Sequence, residues 1–86
     1  MTKIKKNIAL SDTGFVFNPG TGDSFSVNPI GLEILKLLKE NKTHDDIKVI
    51  LLQQYNTEKH VIEKDLYDFI KMIENFNLTD TKASVS

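Results

Sequence analysis

The 86-residue sequence contains no cysteine, only two prolines and two histidines, and almost no excess charge, and each shortage removes a class of function. Without cysteine there is neither a disulfide framework nor a thiolate metal site, which is compatible with a reducing compartment. Eleven basic residues against twelve acidic ones give a formal charge of −1, and the densest basic cluster is Lys3-Ile4-Lys5-Lys6. That is little for binding a phosphate backbone, so nucleic acid is not an expected partner. The amino terminus is polar up to Ile8-Ala9-Leu10, with no apolar run long enough for a signal peptide or a membrane span. A cytoplasmic protein with no membrane partner is expected. At this length one domain with one modest core fits and a second does not.

What is present is patterning. Ile8, Leu10, Phe15, Phe17, Phe25 and Val27 alternate with Ala9, Val16, Ser24 and Ser26, the period of two that marks strands with one buried face. Strands are predicted over 7–11, 14–18 and 23–27, with Ser11-Asp12-Thr13-Gly14 turning between the first two. Pro19-Gly20-Thr21-Gly22 gives the second and third a tight hairpin. Asn28-Pro29 then reads as an N-cap followed by a first helical residue that needs no N–H partner. Ile30, Ile34, Leu37 and Leu38 continue that helix to a left-handed stop at Asn41. Thr43-His44-Asp45-Asp46 resembles a capping box for a second helix carrying Ile47, Ile50, Leu51 and Tyr55. Thr57 is the expected cap of a third, in which Ile62, Leu66, Phe69, Ile70, Ile73 and Phe76 share one arc, with Leu78 closing the core. The order β-β-β-α-α-α predicts an α+β domain, a three-stranded antiparallel sheet followed by three helices, like a winged helix-turn-helix with its sheet moved to the front. Its expected limits are 7–79, with loose ends at 1–6 and 80–86.

Catalytic chemistry finds no footing. His44 and His60 stand in the first turns of different helices, without ligand spacing around them, so no metal site is predicted. Gly20-Thr21-Gly22 leads into a strand, whereas a phosphate cradle leads onto a helix N-terminus. Asp45-Asp46 point 100° apart and stand where the helix dipole favours anions, so they cap. No serine sits in a nucleophile-elbow pattern. No catalytic residue and no cofactor are assigned, and an enzyme is not expected.

Paired in chain order, the strands leave the third as an open edge, and Ser24, Phe25, Ser26 and Val27 carry nothing that blocks a further strand. The third helix adds a lateral stripe of Val61, Asp65 and Met72, bordered by Phe69 and Asp68. Edge and stripe together would form a groove able to take an extended peptide. Read blandly, the edge is covered and idle, and the stripe is peripheral core around a solvated aspartate.

"SDTGFVF", the glycine turn, "FSVNPIG", Tyr55 and "VIEKDLYDFI" ending near Leu78 resemble the pyrroloquinoline quinone biosynthesis protein D (PqqD) family over residues 8–78. The order of Gly14, Asn28, Gly31, Tyr55, Asp65 and Phe69 carries the likeness. The resemblance implies three strands and three helices and a peptide chaperone of the RiPP recognition element type. Such a module binds the leader of a ribosomally made precursor peptide by strand addition and presents it to a modifying enzyme, such as one of the radical S-adenosylmethionine class. The implied binding residues here are Ser24, Phe25, Ser26 and Val27 on the edge and Val61, Asp65, Asp68, Phe69 and Met72 on the wall. Two alternatives remain open at this point, a winged-helix nucleic-acid binder and a structural module that homodimerises through the same edge.

Overall fold

The computed structural model describes residues 3–79. Three short strands, β1 (Ala9–Leu10), β2 (Phe15–Asn18) and β3 (Asp23–Ser26), precede three helices, α1 (Pro29–Lys39), α2 (His44–Gln54) and α3 (Lys59–Asn75). The sheet is antiparallel in the order β1-β2-β3. Its face toward the helices carries Leu10, Val16 and Phe25 in register, over a core of Ile34, Leu35, Leu38, Ile47, Leu51, Ile62, Leu66, Ile73 and Leu78.

Local signals set the boundaries. Asn28 caps α1 by accepting the Gly31 N–H at 2.7 Å, and Pro29 opens the helix. Asn41 takes a φ of 65°, and the Lys42 N–H reaches back to the Leu37 carbonyl at 3.1 Å. Asn77, with φ 60°, ends α3 in the same way through Leu78 and Ile73. In both places asparagine takes the left-handed residue of a Schellman stop that glycine more often fills. Thr43 and Asp46 form the expected reciprocal capping box of α2. The cap of α3 falls one residue later than expected, at Glu58, and its side chain makes no capping bond. The Thr57 N–H turns back to the Tyr55 carbonyl at 3.0 Å, which holds Thr57 in the turn before the helix.

Two further differences concern burial. Phe15 and Phe17, expected on the buried face of β2, lie on the outer face at 47% and 39% exposure, whereas Val16 and Asn18 are buried. A strand shifted by one residue exchanges its faces, and here the neighbours fix the choice. Inside, compact Val16 fits between Leu10 and Phe25, and outside the two rings lie across from Ala9, Ser24 and Ser26. Ile4, expected in a loose end, is buried and bridges Thr79, and the Lys5 N–H donates to the Leu78 carbonyl at 2.9 Å. As the lone apolar residue among lysines, it completes the core where α3 runs out. The expected loose end at 80–86 lies outside the described residues.

Asn18 is the polar exception on the inner face. Its Oδ1 accepts the Gly20 N–H at 2.9 Å, and its Nδ2 donates to the Asn77 carbonyl at 3.4 Å, tying the hairpin turn to the end of α3. Buried polar groups are costly when a partner is removed. Asn18→Ala is expected to cost about 1–3 kcal/mol, measured as a lower urea midpoint with an unchanged slope. An unaltered midpoint would show that this tie contributes nothing.

Candidate functional site

Among the described residues, only one of the two sheet edges is open for a useful length. β1 has two residues, and Lys39 Nζ donates to the Ile8 carbonyl at 2.6 Å beside it. A short strand with a lysine on it is how natural edges are blunted. β3 has four residues, and among the described residues no strand pairs with its outer side. The antiparallel register fixes which groups are vacant. The Val27 N–H bonds the carbonyl of Gly14, just before β2, at 2.8 Å, so in this register Val27, and every second residue before it, turns its backbone groups toward the β2 side. The intervening residues, Ser24 and Ser26, direct their N–H and C=O groups away from β2 to the open side. Both positions carry only a serine side chain, and among the described residues no strand covers them.

Two contacts set α3 beside this edge. Phe25 of β3 stacks on Phe76 at the end of α3, with centroids 4.9 Å apart. Further along, α3 meets the start of α1, where a Cβ added to Gly31 would stand 2.7 Å from Cε1 of Phe69. Glycine is required there because the ring takes the space of a side chain. Beyond these contacts the helices part into a groove of about 320 Å³, whose lining begins at Asn28, two residues past the end of β3. Ile30, Gly31 and Ile34 line it from α1, with Asn28 at its mouth, and Asp65, Asp68, Phe69 and Met72 line it from α3.

Four of the five expected wall residues therefore meet in one groove. Val61, 37% exposed, lies outside its lining, and Phe25 stacks on Phe76 instead of lining the groove. The α1 side was not foreseen, since the spacing of Ile30 and Ile34 also fits a purely internal helix face. The carboxylates differ in state. Asp68 accepts from Lys64 Nζ at 2.8 Å, and this hydrogen bond, with the charge behind it, raises the lysine pKa. Asp65 has no ion-pair or hydrogen-bond partner among the described residues.

A hollow of about 460 Å³ lies on another face of α3, over Leu66 and Ile70. Its rim is already matched internally, Lys48 lying 3.7 Å from Glu63 and Lys71 lying 5.5 Å above the Tyr67 ring. His44, at its edge, has a lowered pKa because burial disfavours its charged form. Among the described residues no cluster of His, Asp and Glu could hold a metal ion, and no helix is long and apolar enough to cross a membrane.

The fit of Phe69 against Gly31 yields a test. Gly31→Ala should displace the ring into the groove and cost about 1–3 kcal/mol through overpacking. Adding Phe69→Leu should recover most of that loss in a thermal melt, because it removes the atoms that clash. Additive losses in the double variant would contradict the contact.

The family model described as Coenzyme PQQ synthesis protein D (PqqD) matches residues 13–78. Two solved structures share the fold. One, described as TbiB1 in complex with the TbiA(beta) leader peptide, superposes with a TM-score of 0.82 at 27% identity, covering 91% of this chain and 94% of that one. The other, described as lasso peptide synthetase B1 complexed with the leader peptide, has a TM-score of 0.75 at 17% identity and the same coverages. No curated protein matches.

Proposed function

The chain belongs to the PqqD family, and from that premise we propose that it is a non-catalytic RiPP recognition element that captures the leader of a ribosomally made precursor peptide. The leader adds to β3 as a fourth strand and sends alternate side chains into the groove between α1 and α3. The observation that carries this is the vacant outer ladder of β3, among the described residues, together with a groove of about 320 Å³ between α1 and α3 whose lining begins two residues past that strand, at Asn28. Main-chain bonds to Ser24 and Ser26 supply affinity, and Ile30, Ile34, Phe69 and Met72 select apolar side chains. Leader-bound relatives of the same fold support the reading. The partners are the precursor peptide and a peptide-modifying enzyme of the radical S-adenosylmethionine class or a related type, which performs the chemistry. No cofactor is needed on this chain.

A phage-displayed random dodecapeptide library selected on the immobilised domain tests the reading. It predicts binders with apolar residues at alternate positions, which bind in extended form and compete with one another for one site. Selection of helical amphipaths, or of no binder at all, would contradict it. A second copy pairing through β3 would compete with peptide, so light scattering with and without the selected peptide separates the two uses of the edge.

A further inference from the structure

The groove sets three polar residues, Asn28, Asp65 and Asp68, among its apolar ones, and these polar groups are not equally committed. The Asn28 side chain is spent on capping α1, and Asp68 is neutralised by Lys64. Asp65 makes no ion pair or hydrogen bond among the described residues and feels only the charge of neighbouring Lys64, on the exposed rim of the same groove and one turn of α3 before Phe69. An anion beside a hydrophobic wall, whose neighbouring cation is hydrogen-bonded to another carboxylate, favours a partner that brings one. Resting on the leader-binding reading above, we infer that the chain's target peptides carry a lysine or arginine two positions from the apolar residue that enters the groove, and that Asp65 is the residue selecting it.

The spacing follows from the two backbones. Asp65 and Phe69 are one helical turn apart, about 6 Å along the axis at 1.5 Å per residue. An extended peptide lying along α3 covers about the same length in two residues at roughly 3.3 Å each. Residues two apart in a strand point to the same side, so the cation and the apolar anchor face α3 together. Asp68 is the wrong carboxylate for this task, because its lysine would have to be displaced first.

The test uses the same dodecapeptide selection on the full chain and on Asp65→Asn. Wild type should enrich lysine or arginine two positions from an apolar residue, and Asp65→Asn should lose that enrichment while keeping the apolar alternation. Asp65 is exposed and outside the core, so circular dichroism and melting of the variant should match wild type. For the best selected peptide, lysine to glutamine should weaken binding to wild type about fivefold and leave binding to Asp65→Asn unchanged, in fluorescence anisotropy at low salt. Apolar-only motifs on both proteins would overturn the inference and leave the leader-binding reading standing. Asp65→Asn weakening the lysine and the glutamine peptide by the same factor relative to wild type would overturn it too, assigning Asp65 to the peptide backbone. A library without extended binders would overturn both.

Discussion

Ser26→Pro is expected to weaken peptide binding by on the order of thirtyfold while the domain stays folded. Proline removes one N–H and fixes φ, which a sheet tolerates where that N–H faces away from the ladder. The register places the Ser26 N–H on the open side of β3, so in the free domain no internal bond is lost. In the complex the same N–H is one of the few donors available to an added strand, and the proline ring stands where that strand must approach. Val27→Pro, one residue on, makes the control. Its N–H bonds the Gly14 carbonyl at 2.8 Å, so this variant should lose stability first, and binding only as a consequence. Paired melts and anisotropy titrations check both. Equal destabilisation by the two prolines would mean that the assigned register is wrong.

Gly14→Ala should have the largest effect on stability. Gly14 holds φ at 92°, and an added Cβ would stand 2.5 Å from the Val27 carbonyl oxygen, a backbone atom that cannot swing aside. A left-handed conformation costs a residue with a Cβ about 1–2 kcal/mol, and overpacking adds about 1–3 kcal/mol. Together these predict a loss of about 3 kcal/mol and a Tm lowered by on the order of 15 °C. The damage falls where β3 passes into the Asn28 cap, so the variant's remaining folded population should also bind peptide less tightly. A Tm within a few degrees of wild type would show that the Gly14 turn opens to accept a side chain.

Much of this arrangement is legible from the residues alone, because the signals are local. Asn28-Pro29, Asn41 and the Thr43–Asp46 box act within a few positions of themselves, and each lies where the spacing puts it. The α3 side of the groove is equally local, since Asp65, Phe69 and Met72 follow from helical period. The face of β2 is not. Phe-Val-Phe-Asn offers an apolar residue to either side, and the choice depends on cross-strand partners and on Asn18 reaching Asn77 across the fold. The burial of Ile4 depends likewise on its bridge to distant Thr79. The α1 wall and the Phe25–Phe76 stack stay hidden for the same reason, as contacts between separate elements that no short stretch announces.

Amide hydrogen exchange at Ser24 and Ser26, followed by NMR on the free domain and with the tightest selected peptide, tests the central claim most directly. In the free domain both amides should exchange much faster than those of Phe25, which faces β2, and Val27, which bonds Gly14 just before it. Saturating peptide should slow both by at least about tenfold, as hydrogen bonds to an added strand form. If peptide binds and these two amides continue to exchange at their free rates, nothing has been added to β3 and the account fails.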